Sequence, residues 1–200
     1  MKIVPPTPEG IAEAAEAIAK GLLVVHPTET VYGIAADPFS DAALARLFAC
    51  KGRQESNPIL LVAADLEQVH EVTSDISGAA LRYAEAFWPG PLSLLLPKSP
   101  RLPGAVTAGQ PYVCVRVPAH PLVRDLCLKV GHAVTSSSAN LSGEEPATCL
   151  EEIEVPDIAV CIDGGALAPS LPSTVFDPER GVLLREGAVS RAALGKFGKV

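Results

Sequence analysis

Apolar side chains recur along this chain at two spacings, and the changes between them mark its elements. Residues 7–20 place Ile11, Ala14, Ala15 and Ile18 on one helical face. Thr7 as cap, Pro8 at the first position and Glu9 in the first turn suit the start of that helix, and Gly21 suits its end. Leu22–Val25 then reads as a buried strand, followed by a polar turn, His26–Gly33. Ser40 or Asp41 caps a second predicted helix, with a stripe of Leu44, Leu47 and Phe48 and with Lys51 and Arg53 at or just past its end. Ile59–Ala64 is apolar at every position, as in a strand covered on both faces. Short and longer helices are predicted over 65–71 and 78–88, the second broken by Pro89-Gly90-Pro91. Leu92–Leu96 reads as a strand and Lys98–Gln110 as a Pro/Gly-rich loop.

Tyr112–Val117 alternates, which puts Arg116 on the face opposite its immediate neighbours. A helix from His120-Pro121 to about Lys129 leads to a strand at Ala133–Thr135, which runs straight into the polar stretch Ser136–Gly143. Ile158–Ile162 is another strand, Ser173–Phe176 and Gly181–Arg185 form a predicted hairpin, and Ser190 caps a last short helix. Strands and helices mix without strict alternation. The expectation is an α/β domain with an open, twisted, mixed sheet, not a doubly wound parallel one.

Composition narrows the class. The 200 residues are 48% hydrophobic, enough for one core, so a single domain over 1–200 is expected. No apolar run approaches the ~20 residues of a membrane span, and MKIVPPTPEG has no long apolar segment of a secretory signal. Five scattered cysteines without CxxC or metal-ligand spacing read as buried thiols of a reducing cytosol. A net charge of −7 argues against a chain whose main task is to grip nucleic-acid phosphates.

The chemistry-bearing residues gather at strand ends. GxxxxGK[ST], GxGxxG and GxSxG are all missing. Lys51 and Arg53 suit either a helix C-terminus or a phosphate clamp, with Asn57 at the entrance to the next strand. Ser138, Asn140 and Ser142 bring small polar groups to another strand end, where backbone N–H groups form anion sites. Arg116 and Arg185 sit within apolar strands and require a partner, either a protein carboxylate or a bound carboxylate or phosphate. Thr28, Glu29, Thr30, Ser173 and Thr174 are hydroxyl and carboxylate candidates for a small polar substrate. No general base or nucleophile stands out. Taken alone, these residues describe a site for a phosphorylated molecule and a carboxylate that works by positioning and charge stabilisation.

PTETVYG, KGR followed by NP, WPGPLS, VRVPAHP, TSSSANLSG, STVFD and LLREG stand in the order found in YrdC-like proteins, over about residues 22–187. The chain resembles the TsaC-type threonylcarbamoyl-AMP synthases of that family. The resemblance implies an open twisted α/β fold with a large concave cavity. It also implies condensation of L-threonine, bicarbonate and ATP to threonylcarbamoyl-AMP and pyrophosphate, for tRNA threonylcarbamoyladenosine formation. Magnesium would arrive with ATP, with no protein metal ligands. Thr30, Arg116, Ser136 and Ser173 would face threonine, Arg116 through the carboxylate. Lys51, Arg53, Asn57, Ser138, Asn140 and Arg185 would face ATP, with Lys51, Arg53 and Ser138 stabilising charge during the reaction. The implied setting is cytoplasmic, with downstream threonylcarbamoyl-transfer proteins, weak or absent direct tRNA binding and no membrane. Any cover over the site would come from within the domain or from a mobile segment. Two positions depart from the pattern: Val62 replaces a threonine-contacting His of some members, and Tyr112 replaces a small hydroxyl residue near ATP. The rivals are an RNA-binding module and a carbamoyl-adenylate-forming domain like that of hydrogenase-maturation proteins.

Overall fold

Two mixed β-sheets meet along one seam, with helices on their outer faces. The computed structural model describes residues 1–52, 58–141 and 143–200. The first half runs β1 (Lys2–Val4), α1 (Pro8–Ala19), β2 (Leu23–His26), β3 (Gly33–Ala35), α2 (Asp41–Lys51), β4 (Leu60–Val62), α3 (Leu66–Val72), α4 (Gly78–Phe87) and β5 (Leu92–Pro97). The second half runs α5 (Gly104–Thr107), β6 (Tyr112–Arg116), α6 (Pro121–Val130), β7 (Val134–Thr135) and β8 (Ser137–Ser138). A 3₁₀ turn (Leu150–Glu152), β9 (Ile158–Ile162), β10 (Thr174–Asp177), β11 (Val182–Arg185) and α7 (Arg191–Leu194) complete it.

The five-stranded sheet is ordered β1-β9-β2-β3-β8 and the six-stranded sheet β11-β10-β5-β6-β4-β7. Both mix parallel and antiparallel pairs. The mixed α/β expectation holds, although the strands divide between two sheets. Several elements escaped the apolar pattern: β1, β3, α5 within the predicted 98–110 loop, β8 within the polar stretch 136–143, and the 3₁₀ turn.

Capping follows side-chain chemistry. The hydroxyls of Thr7, Ser40, Ser77 and Ser190 and the Asp65 carboxylate each accept the backbone N–H three residues on. Gly52 ends α2 in the left-handed region (φ 57°), where a side chain is strained.

Alternation sorts the strand side chains between two cores. Leu23, Val25, Ile34, Leu61, Val113, Val115 and Phe176 face the larger core, beneath α2, α3 and α4. Val24, Ala35, Val62, Val134 and Val160 face a second core closed by α1 and α6. This double burial explains the unbroken apolar runs, since each fully covered Leu, Ile or Val contributes about 1.5–3 kcal/mol. Val62 is fully buried beside Val123, Leu126 and Cys127, so its side chain belongs to the second core.

The seam is short. β7 pairs with β4 in the six-stranded sheet, and β8 pairs with β3 in the five-stranded sheet. Ser136 is the single residue between them, and its N–H donates to the Leu60 carbonyl at 2.8 Å.

Candidate functional site

The polar stretch read from the sequence lies at this crossing. A cavity of about 270 Å³ is walled by Thr28, Thr30, Ser136, Ser138, Arg116, Ser173 and Arg185, among others. Thr30 belongs to the β2–β3 turn and Ser138 to β8, both of the five-stranded sheet. Arg116 ends β6, Arg185 ends β11 and Ser173 precedes β10, all on the other sheet. The site is therefore assembled by two sheets, with Ser136 at their joint.

A second cavity of about 560 Å³ lies over the six-stranded sheet and shares Pro58, Leu60 and Arg185 with the first. Its walls include Ser93, Leu95, Tyr112, Cys114, Val175 and Leu184. Tyr112 and Cys114 come from alternate positions of β6, and Arg116, two further on, lines the smaller cavity. Val113 and Val115 turn into the core, as the alternation predicts. Ser93 is a wall residue that the sequence reading missed. Its signal was the same as for Arg116, a polar residue inside an apolar strand.

The hydroxyls are ordered before any ligand arrives. Thr28 Oγ1 accepts the N–H groups of Thr30 and Val31 at 3.1 Å each, donates to the Val31 carbonyl at 2.7 Å, and lies 3.0 Å from Thr30 Oγ1. Arg185 donates through Nε and Nη2 to the Ser173 carbonyl (3.1 and 2.8 Å) and through Nη2 to Ser173 Oγ (3.1 Å). Ser173 Oγ also lies 3.0 Å from Ser93 Oγ.

Lys51 reaches the site through the β8 loop. Its ammonium donates to the carbonyls of Ser138 and, at 2.8 Å, Asn140. Asn140 Nδ2 donates to the carbonyls of Leu141 (2.9 Å) and Glu144 (2.6 Å), while Oδ1 is buried without a hydrogen-bond partner among the described residues. Lys51 and Asn140 thus brace the loop that carries Ser138. Arg53, Asn57 and Ser142 lie outside the described residues.

Electrostatics separates the remaining groups. Arg116, 2% exposed, donates through Nη1 to Glu29 Oε1 at 3.1 Å. Burial is the main influence lowering its pKa, Glu29 opposes that shift, and Arg185 adds to it. The Cys114 thiol is pushed up to about 12 by burial, so it stays protonated as an uncharged wall. His26 is fully buried, and burial first, then Arg116 and His120, lower its pKa to about 4. Its Nδ1 lies 3.3 Å from the Pro27 carbonyl, an acceptor, so Nδ1 carries the proton and Nε2 is an acceptor. A Cβ at Gly33 would lie 2.6 Å from Ser136 Oγ and 3.0 Å from His26 Nε2, so only glycine fits beneath the joint. Tyr112 lies under Arg180, whose guanidinium carbon is 5.1 Å from the ring centroid and whose Nη2 donates to the phenol oxygen at 3.0 Å.

Known proteins share this arrangement of chain. A family model described as "Telomere recombination", that of the Sua5/YciO/YrdC domain, matches residues 16–187. A Pyrococcus abyssi protein named threonylcarbamoyl-AMP synthase is 38% identical over 181 residues, covering 88% of this chain and 53% of its own length. A Chromohalobacter salexigens protein of the same name is 35% identical over 181 residues, covering 90% of this chain and 98% of its own. The chain therefore spans about half of the first relative and nearly all of the second. The structure of P. abyssi Sua5 complexed with L-threonine matches with a TM-score of 0.93 and 36% identity, over 100% of this chain and 61% of that one. Ordered motifs, a shared fold and identity over most of the chain lead to one assignment: the chain belongs to the Sua5/YciO/YrdC family.

Proposed function

We propose that the chain is a threonylcarbamoyl-AMP synthase, which condenses L-threonine, bicarbonate and ATP to threonylcarbamoyl-AMP and pyrophosphate. The carrying observation is a small hydroxyl-lined cavity with two guanidinium groups that opens beside a larger, more apolar one. The smaller suits an amino acid, with its carboxylate on Arg116 and its polar groups on Thr30, Ser136 and Ser173. The larger suits the nucleoside of ATP, with Arg185 at the shared wall and Ser138 beside the phosphates. Relatives carrying this activity as their name support the reading.

The reaction consists of a condensation and a displacement. Threonine's ammonium and bicarbonate give a carbamate, one water and one released proton. A carbamate oxygen then attacks the α-phosphorus of ATP, and pyrophosphate leaves with the bonding pair of the broken P–O bond. Negative charge collects at each stage, so the chain's task is to hold anions together. Arg116 offsets the carboxylate and Arg185 the phosphates, while Lys51 keeps the Ser138 loop in place. Arg53 and Asn57 belong to the phosphate side by the family resemblance.

Magnesium brought in with ATP would neutralise phosphate charge. Among the described residues no three His, Cys, Asp or Glu side chains gather as a metal cage. An ion carried on ATP would be held by phosphate oxygens and water. No helix among the described residues is long and apolar enough to cross a membrane. With a net charge of −7, direct tRNA binding is weak, and the product passes to separate transfer proteins in the cytoplasm.

The test is pyrophosphate release from ATP. Release that requires threonine and bicarbonate together is the expected result. Release unchanged without threonine, or supported by carbamoyl phosphate in place of both, overturns the assignment.

A further inference from the structure

Glu29 is a carboxylate held against Arg116, a wall residue of the smaller cavity, and the reaction described above gives it no task. It sits in the β2–β3 turn of the five-stranded sheet, while its partner Arg116 ends β6 of the other sheet. Their contact, Nη1 to Oε1 at 3.1 Å, therefore spans the seam. It is also partial. Arg116 Nε and Glu29 Oε2 are both buried without a hydrogen-bond partner among the described residues.

The turn that delivers Glu29 is fixed from two sides. Thr28 Oγ1 holds the N–H groups of Thr30 and Val31. Ser170 Oγ donates toward the carbonyls of Glu29 (3.3 Å) and Thr30 (3.1 Å). The carboxylate is thus presented from braced backbone, which is what a positioning group requires. Arg116 in turn lines the smaller cavity. A guanidinium offers five donors on two edges, so one carboxylate on Nη1 leaves room for a second on the remaining donors.

We propose that Glu29 is the positioning residue of the carboxylate seat: it holds the Arg116 guanidinium with its unused donors toward the cavity, where the amino-acid carboxylate docks. This rests on the reading of Arg116 as that seat. Before substrate arrives, Glu29 also supplies the negative charge without which a guanidinium at 2% exposure is costly. Two carboxylates then share one arginine, and the fixed one sets the angle for the mobile one.

The test is calorimetric binding of L-threonine and of L-threoninol, which lacks the carboxylate, to the full chain and to Glu29→Gln and Glu29→Asp. Wild type should prefer threonine over threoninol by roughly tenfold or more. Failure there removes the Arg116 reading itself and leaves nothing for Glu29 to position. Given that preference, Glu29→Gln should weaken threonine by roughly tenfold and threoninol by less than about twofold. In the pyrophosphate assay its threonine KM should rise while kcat stays within about threefold. Unchanged threonine affinity overturns the proposal. Equal losses for both ligands overturn it too, because they describe an ammonium ligand or a purely structural residue. Glu29→Asp keeps the charge on a shorter arm and should recover part of the loss. Where the Gln variant does not fold, an Asp variant with wild-type threonine affinity also overturns the proposal.

Discussion

His26 shows what burial does to a titratable residue beside the joint of the two sheets. The usual histidine pKa near 6.5 falls to about 4 here, chiefly through burial. An unfolded chain takes up that proton near pH 6.5 and the folded chain only near 4. The associated stability is therefore fully present above about pH 6.5 and is lost as the pH falls through 4, by on the order of 3 kcal/mol. His120, also lowered by burial, acts in the same direction. Denaturation midpoints at pH 7 and pH 4.5 should diverge in the wild type, and by a smaller amount in His26→Gln. Equal divergence in both would exclude His26 as a source of the acid sensitivity. Val62 is the simpler case. Its β4 register places the side chain on the same sheet face as Arg116, where α1 and α6 cover it, so it contributes packing to the second core.

At the scale of elements, α2 and the β8 loop depend on each other. Lys51, in the last turn of α2, is 4% exposed and spans to the carbonyls of Ser138 and Asn140. Lys51→Met keeps the apolar stem and deletes these charge-assisted bonds. Thermal or urea unfolding should register a loss of about 2 kcal/mol, together with a collapse of pyrophosphate release. Lost activity at full stability would instead leave Lys51 a purely phosphate-facing cation. Most elements were legible because their signals are local: caps at Thr7, Ser40 and Ser190, an apolar stripe along α1, alternation along β6. β1 and β3 were not, since three residues carry no period. The division into two sheets was also hidden, because a run apolar on both faces does not encode its neighbours. The Arg116 cavity face was readable from its own strand. Its partner Glu29, 87 positions away, was readable as a candidate substrate contact but not as the partner of Arg116, because the pairing spans two sheets.

At the scale of the whole molecule, the polar walls of the smaller cavity come from both sheets, and of the three passages of the chain between them (β3 to β4, β7 to β8 and β9 to β10) the shortest is the single residue Ser136. A threonine held at once by Thr30 and Arg116 would act as a keystone across that joint. The work of binding would then be felt by the entire backbone, since opening either sheet would first require the ligand to leave. At a hundred times its dissociation constant, a ligand specific to the native state adds about 2.7 kcal/mol. Amide hydrogen exchange should therefore slow in β3 and β6 together when threonine is added. Protection confined to one of them would mean that the amino acid rests on a single sheet. If both slow, threonine is part of this protein's architecture for as long as it stays bound.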